Sequence, residues 1–444
     1  MSVHAKDLEY RIGDRPPLAR AVLLALQHMM AAFGGIVAVP LIIGSTAQGG
    51  VLASETPYLI SCSLFCAGLA TLIQTRRIWR VGSGLPIVMG TSFTFVGPGL
   101  QAANAGGLAA YFGCTLVGSV VEGAFAFLVP RLRRVFPPIV TGTVVCLIGL
   151  SLMPVALLWI GGGAASKLAD PPAYGAPQNL LLGGSVLALI VLLSRFGRGI
   201  LSTGAVFFGM ACGYAAAALM GAVDFSPLRE GAWLTIPMPL RYGIALDWAV
   251  LLPFVIAYVV TTIETIGDTI AVMDVSGTEF DEGRLQGSVL ADAVGSAVAG
   301  VFNAGPNTSF SQNVGIIPLT RVASVYVVVL TGILLIVSGL LPKLSVLISL
   351  MPEPVLGGAG VAMFGMIAAS GIRIVSREEL GSRELMVLAV SLGVGMVSAI
   401  GSQDYVDLFG RLPESTRIFF SSGICTGALT AVALNLLLRP AGRA

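Results

Sequence analysis

Charged side chains are scarce in this sequence. Only 11% of the 444 residues are Asp, Glu, Lys or Arg, just two are histidine, and 55% are hydrophobic. A soluble globular protein needs far more charge on its surface, so that class is excluded. A net charge of +2 also argues against a nucleic-acid role, which requires a concentrated basic face. The composition therefore predicts a polytopic membrane protein.

The sequence also lacks several motifs of pumps and enzymes. No G-x-x-x-x-G-K-[ST] loop is present, which argues against a nucleotide-driven pump. Neither H-E-x-x-H nor G-x-S-x-G occurs, which argues against an intramembrane enzyme. All six cysteines fall in apolar runs, so we expect small buried side chains rather than disulfides or metal ligands. No cleavable signal peptide is expected, because the first residues are polar and the apolar run after them is too long.

Hydrophobic runs long enough to cross a bilayer recur along the chain. Two further segments, 85–101 and 305–320, are interrupted by Gly and Pro and bring the predicted number of spans to fourteen. The twelve uninterrupted runs lie near 18–43, 57–74, 108–130, 138–160, 179–194, 200–221, 248–273, 285–302, 322–341, 354–372, 384–401 and 416–438. With a cytoplasmic N-terminus, this count satisfies the positive-inside rule. It leaves only six of the 25 basic residues outside, namely Lys167, Arg229, Arg241, Lys343, Arg411 and Arg417.

The second interrupted segment contains the most polar stretch of any predicted span. It opens with Gly305-Pro306-Asn307-Thr308-Ser309. Broken backbone at membrane depth is tolerated only where it is buried in protein or lines a cavity. We therefore expect an extended piece from Ala304 to Ser309, followed by a half-helix that starts near Phe310 and directs its free amides at the bilayer centre.

Similar motifs occur in both halves of the chain at nearly constant spacing. The matches are Gly90-Thr91-Ser92-Phe93 with residues 306–310, Gly142 with Gly358, and Gly149 with Gly365. Seven spans per half is an odd number, so the second half must insert upside down. The expected fold is all-α, a 7+7 inverted repeat with a ligand site between the two interrupted segments. The expected divisions are a cytoplasmic tail 1–17, repeats 18–221 and 248–438, an external linker 222–247, and a cytoplasmic tail 439–444.

Three motifs carry a family resemblance that covers essentially the whole chain. The run from Gln312 to Arg321 resembles the signature Q-N-x-G-x-x-x-x-T-R of the nucleobase-ascorbate transporters, also called nucleobase-cation symporters of the second class. Gln27-His28 resembles the Q-H pair of that family, and residues 264–268 resemble its E-T-x-G-D stretch. Counted in chain order, the resemblance implies a core of spans 1–4 (18–130) and 8–11 (248–341) and a gate of spans 5–7 (138–221) and 12–14 (354–438). It also implies an elevator-type motion and a homodimer formed through the gate.

Two acidic residues of the eighth span are the first candidates for the site. Glu264 lies in the middle of the span, where an ionisable group usually faces a cavity or a partner. Its carboxylate can accept two adjacent N–H groups of a purine or pyrimidine, and the resemblance implies this role; a carboxylate satisfied by neighbouring hydroxyls is the alternative. Asp268, one turn further on, lies on the same face and offers either proton coupling or a helix-packing hydrogen bond. Uracil carriers of the family often have histidine there, so aspartate favours purines.

The interrupted segments supply the other predicted substrate contacts. The resemblance associates Gln312 with xanthine and uric acid carriers, whereas glutamate and proline there accompany uracil and ascorbate carriers; an amide that binds broken backbone is the alternative. Phe93 and Phe310 follow Thr-Ser in equivalent places and offer faces for a planar heterocycle, or are core filler. At Ser92 and Ser311, backbone amides at helix starts could donate to substrate carbonyl oxygens.

The remaining candidates concern proton coupling or the architecture of the site. By family analogy, His28 with Gln27 supports the site rather than touching substrate, although a proton relay is the alternative for His28. Asn313 either bonds the substrate indirectly or holds the extended pieces together. Asp292 is expected in a structural or coupling role.

The sequence thus predicts a secondary transporter, not an enzyme, that imports xanthine or uric acid by proton symport. A uracil or other pyrimidine symporter of the same family is the alternative, followed by an anion transporter of the same fold or an intramembrane enzyme. No cofactor or metal is expected, and Na⁺ is the alternative coupling ion. The expected location is a bacterial inner membrane, with membrane lipid, the purine and a second copy of the chain as partners and no nucleic acid.

Overall fold

The computed structural model describes residues 8–129, 137–168, 173–230, 232–376, 379–400, 408–409, 420 and 422–438. The C-terminal tail 439–444 and the first seven residues of the predicted N-terminal tail lie outside the described residues, as do Arg411 and Arg417. The fold is mostly helical. Its helices are α1 (Leu18–Thr46), α2 (Thr56–Gln74), α3 (Val96–Phe125), α4 (Pro138–Ser151), α5 (Met153–Ile160), α6 (Gly163–Leu168), α7 (Pro177–Phe196), α8 (Ile200–Thr203), α9 (Ala205–Leu219), α10 (Ser226–Glu230), α11 (Trp248–Ser276), α12 (Glu282–Val301), α13 (Ser311–Val314), α14 (Ile316–Thr320), α15 (Val325–Gly339), α16 (Pro342–Ser349), α17 (Glu353–Val375), α18 (Ser382–Ile400) and α19 (Gly423–Leu437).

Eight helical segments in the described part of the chain are long and apolar enough to cross a membrane. They coincide with eight of the twelve uninterrupted runs predicted above. A ninth span is added if α15 and α16, which are bent by 80° at their junction, count as one. The predicted runs near 200–221 and 285–302 are helices α8–α9 and α12, and the last run is described only at residue 420 and from residue 422. The chain is therefore a multi-pass membrane protein.

Two strands, β1 (Met89–Thr91) and β2 (Asn307–Ser309), meet in the middle of the fold. They pair antiparallel, with Gly90 opposite Thr308. The ladder continues beyond the strands, because the Ser92 amide donates to the Pro306 carbonyl at 2.9 Å and the Phe310 amide donates to the Val88 carbonyl at 2.9 Å. Each interrupted segment thus supplies the hydrogen-bond partners that the other could not find in hydrocarbon.

Short helices follow both strands, as the sequence predicts for the second segment. After β2, helix α13 begins at Ser311 and the chain turns at Gly315 into α14. After β1, a 3₁₀ turn Phe93–Phe95 leads into α3. Helix α3 is broken at Gly106 and Gly107, where Gly107 has φ +68°. This break separates the interrupted segment from the span predicted at 108–130.

Helix α11 has well-defined ends that fix the position of its acidic residues. The Asp247 carboxylate caps its start by accepting from the Ala249 amide at 2.8 Å. Gly277, with φ +65°, ends the helix in the left-handed conformation that favours glycine. The next helix, α12, begins in the same way with Asp281 bonded to the Gly283 amide. These caps hold the helix that carries Glu264 and Asp268.

The basic residues predicted to lie outside occupy elements that meet at one end of the fold. Arg241 forms an ion pair with Glu55 at 3.3 Å, and both line a cavity that Pro342 of α16 also lines. Lys343 lies on α16, which contacts α10 with its Arg229, and Lys167 lies on α6, which contacts the 3₁₀ helix ending at Glu55. These four basic residues therefore lie on neighbouring elements, and the side of the membrane that they occupy stays a prediction.

Helices α4 and α17 pack with almost no side-chain layer between them. A Cβ atom at Gly149 would lie 2.4 Å from the Ala368 amide nitrogen and 2.5 Å from the Phe364 carbonyl oxygen. One at Gly142 would lie 2.6 Å from the Gly371 carbonyl oxygen. Small residues let membrane helices approach this closely.

We predict that Gly149→Ala destabilises the protein by about 1–3 kcal/mol, because the added methyl group meets backbone that must move. The measurement is the thermal unfolding midpoint of the purified protein in detergent. Gly393→Ala is the matched control, since a Cβ at that helical position meets nothing within 4 Å. Equal midpoints for the two variants would contradict the close α4–α17 contact.

Candidate functional site

A cavity of about 440 Å³ lies between α4, α11, α13–α14 and α17. Glu264, Asp268 and Ser311 line its inner part. The cavity extends to Val275 and Arg373, near the ends of α11 and α17. The cavity therefore runs from the acidic face of α11 towards the ends of α11 and α17.

A second, smaller cavity of about 30 Å³ lies beside the paired strands. Glu264 lines both cavities, so its side chain stands at their junction. The other residues around the smaller cavity come mainly from the two interrupted segments. They are Thr91, Ser92, Phe93, Thr94, Ile148, Thr308, Ser309, Phe310, Gln312 and Ile367.

The Glu264 carboxylate at this junction and the Gln312 amide in the smaller cavity have no protein partner among the described residues. Within the described part of the chain, neither side chain makes a hydrogen bond or an ion pair, and both are half-buried. The nearby threonine hydroxyls bond elsewhere: Thr262 donates to the Tyr258 carbonyl, and Thr265 donates to Asp292. The described residues thus offer no hydroxyl that satisfies Glu264. Its predicted role as a ligand stays open to experiment.

Asp268, in contrast, is bonded within the protein. Its carboxylate accepts from the Ser309 hydroxyl at 2.7 Å and from the Ser311 hydroxyl at 2.8 Å. These bonds tie α11 to the end of β2 and the start of α13. The packing hydrogen bond that the sequence left open for Asp268 is present, and it does not exclude a role in proton transfer.

Ser92 lines the smaller cavity, but its backbone amide is already paired. Its amide donates to the Pro306 carbonyl in the strand ladder, so it is not available to a substrate. Its hydroxyl accepts from the Thr94 amide at 3.3 Å and caps the 3₁₀ turn. The requirement that extended backbone be paired at membrane depth explains the bond of the amide. The Ser311 hydroxyl is likewise used by Asp268, although Ser311 also lines the larger cavity.

The two predicted stacking residues differ in their surroundings. Phe93 lines the smaller cavity and contacts Phe364 edge-on, with ring centroids 5.4 Å apart. The Phe310 ring is wedged between glycines, because a Cβ would lie 2.4 Å from it at Gly35 and 2.2 Å at Gly90. The Phe310 ring therefore joins α1 to the strand pair, and it also lines the smaller cavity.

The polar residues of α1 hold neighbouring elements in place. The Asn313 amide donates to the His28 carbonyl at 2.9 Å and lies 3.2 Å from His28 Nδ1. Gln27 Nε2 donates to the Thr203 hydroxyl on α8 at 2.6 Å. Gln27 and His28 thus make structural contacts, and Asn313 joins α13 to α1. The roles expected for these three residues stay predictions.

Asp292 belongs to a buried network behind the smaller cavity. It accepts from the Thr265 hydroxyl, which also lies 3.1 Å from the Ser309 hydroxyl. The sequence reading missed a second acidic residue in this region, Glu122 of α3, which accepts from the Thr261 hydroxyl at 3.1 Å. Its signal was present in the sequence, since a carboxylate within the apolar run near 108–130 requires a reason.

Comparisons with known proteins point to transport. A family profile described as a permease family, Xan_ur_permease, matches residues 19–403. The chain is 42% identical over 450 residues to the xanthine permease XanP of Escherichia coli (strain K12), covering 98% of this chain and 95% of XanP. It is 38% identical over 416 residues to the uric acid permease PucK of Bacillus subtilis (strain 168), covering 93% and 94%.

A solved structure shows the same fold. The transmembrane domain of a cyanobacterium bicarbonate transporter, BicA, superposes with a TM-score of 0.57 over 96% of this chain and 100% of that domain. The sequence identity of that pair is only 13%. The likeness therefore concerns the arrangement of helices and not the ligand.

We predict that Gly90→Ala destabilises the protein by displacing the Phe310 ring, at a cost of about 1–3 kcal/mol. The smaller Phe310→Leu side chain should recover part of this loss in the double variant, because it removes the ring atoms that the new methyl group meets. Unfolding midpoints of the two single variants and the double variant measure this coupling. Strict additivity would show that the Gly90–Phe310 contact does not control the packing here.

Proposed function

The chain belongs to the permease family Xan_ur_permease, and from this premise and the site geometry we propose that it imports xanthine or uric acid by proton symport. The observation that carries this proposal is the shared junction of the two cavities. There the Glu264 carboxylate lines both cavities and Gln312 lines the smaller one, and neither side chain has a partner among the described residues. Permeases move molecules without chemical conversion, so the protein is not an enzyme.

These two side chains have complementary capacities for a purine edge. A carboxylate accepts two adjacent N–H groups, and a carboxamide donates from its nitrogen and accepts at its oxygen. Oxidised purines present N–H groups and carbonyl oxygens in alternation around their rings. Hydrogen bonds to an ionised partner in a site of low dielectric are the strongest available to the protein.

Phe93 supplies a flat apolar surface beside these polar groups. Its ring lines the smaller cavity and is held by Phe364. A planar heterocycle packs well against such a face. The smaller cavity is too narrow for a purine by itself, so the bound heterocycle would occupy the junction and extend into the larger cavity.

An anion carrier of this fold is less well supported. The smaller cavity has no basic side chain among the described residues that line it, and Arg373 lies at the far part of the larger cavity. Glu264 would repel an inorganic anion at the junction. Uracil is the closer alternative, and the glutamine at position 312 together with aspartate at 268 favours a purine by the family pattern.

Proton coupling is proposed from the two carboxylates on one face of α11. Glu264 and Asp268 lie one turn apart in a buried site, where two negative charges are unfavourable together. A proton on one of them lowers this cost and can travel with the substrate. Na⁺ remains the alternative ion.

The fourteen-span, 7+7 inverted arrangement is part of the proposal. It is supported by the register of the strands, because the equivalent residues Thr91 and Thr308 flank the centre of an antiparallel pairing. A two-fold axis in the membrane plane would produce this relation. Helices α4 and α17, which carry equivalent glycines, also pack against each other.

An elevator-type movement fits the position of the site. The larger cavity lies between α11 and α13–α14, which belong to the proposed core, and α4 and α17, which belong to the proposed gate. A displacement of the core along the gate would move Glu264 and Gln312 relative to the membrane. The homodimer, the bacterial inner membrane and the cytoplasmic termini follow from the family resemblance and complete the proposal.

We predict that Glu264→Gln weakens xanthine binding to the purified protein about 10- to 100-fold, the value expected for losing hydrogen bonds to a charged group. The measurement is isothermal titration calorimetry. Glu353→Gln, which changes a half-buried carboxyl group at the start of α17, is the matched control and should bind normally. Unchanged affinity in Glu264→Gln would remove this residue from the site.

We also expect uptake of labelled xanthine by cells that lack their own purine carriers. Unlabelled xanthine and urate should compete, whereas uracil and ascorbate should not, and a proton uncoupler should stop accumulation. Competition chiefly by uracil would replace the substrate assignment while leaving the fold intact. Uptake that requires Na⁺ and does not respond to the uncoupler would show that the coupling ion is Na⁺ and not H⁺.

A further inference from the structure

Two acidic side chains face each other in a region that neither cavity reaches. Glu122 of α3 and Asp292 of α12 are both completely buried. Glu122 interacts electrostatically with Asp292. The helices are also close at this level, because a Cβ at Gly123 would lie 3.6 Å from the Ala293 Cβ.

Each of these carboxyl groups has one oxygen atom without a partner. Glu122 Oε1 accepts from the Thr261 hydroxyl, and Asp292 accepts from the Thr265 hydroxyl. Glu122 Oε2 and Asp292 Oδ1 are buried and have no hydrogen-bond partner. No basic side chain forms an ion pair with either group in the described part of the chain. Two buried negative charges without a cation are strongly unfavourable, so the pair requires a proton.

The other titratable groups around the pair carry no positive charge. On α11 they are Tyr258, whose hydroxyl donates to the Thr115 carbonyl at 2.7 Å, and the two cavity carboxylates Glu264 and Asp268. On α3, Tyr111 and Cys114 lie beyond Tyr258. None of these groups can neutralise Glu122 by forming an ion pair.

A chain of hydroxyl groups connects Asp292 with the larger cavity. Asp268, which lines that cavity, accepts from the Ser309 hydroxyl at 2.7 Å. The Ser309 hydroxyl lies 3.1 Å from the Thr265 hydroxyl, which donates to Asp292. All the links between Asp268 and Asp292 are therefore within hydrogen-bond distance.

We propose that Glu122 and Asp292 share one proton and form an inner proton-binding site of the transport cycle, which is loaded from Asp268 through Ser309 and Thr265. This inference rests on the proposed proton symport. In loading, Asp268 takes up a proton and becomes the donor to Ser309, and the Ser309 hydroxyl turns to donate to Thr265. The O–H bond of Asp268 then breaks and its proton passes to Ser309. Ser309 gives its own proton to Thr265, and Thr265 gives its proton to Asp292. The net result is one O–H bond lost at Asp268 and one formed at Asp292, with both hydroxyls restored.

The test separates substrate exchange from proton-driven accumulation in proteoliposomes that contain the purified full chain. Exchange is measured as counterflow of labelled xanthine at equal pH on both sides, and accumulation is measured under an imposed pH gradient. For Glu122→Gln we expect accumulation to fall by about tenfold or more, while counterflow stays within about twofold of the unchanged protein. Glu353→Gln should match the unchanged protein in both assays.

Several outcomes would overturn the inference. Normal accumulation in Glu122→Gln would show that Glu122 is not needed for coupling. If Glu122→Gln loses counterflow as well, Thr261→Val decides, because valine keeps the shape of threonine but removes the hydroxyl donor to Glu122. A shift of the pH profile of accumulation to more alkaline pH supports the proposal, and an unchanged profile rejects it. If the wild-type protein exchanges xanthine but does not accumulate it under the pH gradient, the proposed symport itself is contradicted.

Discussion

The antiparallel pairing of β1 with β2 is the interaction on which the site depends. Extended backbone within a membrane needs hydrogen-bond partners, and each strand supplies them for the other. The pairing fixes where the following short helices begin, and therefore where Phe93 and Gln312 lie. It also positions Ser309 against Asp268, which joins the strands to α11. Separation of the strands would leave unpaired backbone and remove the inner wall of the smaller cavity.

The polar residues of the site fall into two groups, those that bond within the protein and those that face the cavities. Asp268, His28, Asn313 and Ser92 use their hydrogen-bonding groups within the protein, and they hold α1, α11 and the interrupted segments together. Glu264 and Gln312 have no such partners among the described residues and face the cavities. A binding site built in this way keeps its free groups on rigid supports, so little order has to be created when a ligand binds.

Much of this could be predicted from the sequence, because membrane burial makes polar residues informative. The run Gly305-Pro306-Asn307 predicts an extended break in a helix, and a carboxylate in the middle of a span indicates a binding site. The register of the strands and the bonds of Asp268 could not be predicted, because they join residues far apart in sequence. The bond of the Ser92 amide could not be predicted either: the amide lies at a helix start, but it donates to the Pro306 carbonyl beside the partner strand. A carboxylate at Glu122 is visible in the apolar run near 108–130, but its partners could not be predicted because they lie on two other helices, α11 and α12.

Glu264 and Gln312 are proposed to form one purine site beside the paired strands. The most direct measurement is a structure of the purified protein with xanthine at a resolution that shows ring orientation. The account predicts a heterocycle at the junction of the two cavities, with ring N–H groups on the Glu264 carboxylate, the Gln312 amide on another edge, and Phe93 against its face. A heterocycle bound elsewhere, or one that contacts neither Glu264 nor Gln312, would contradict it.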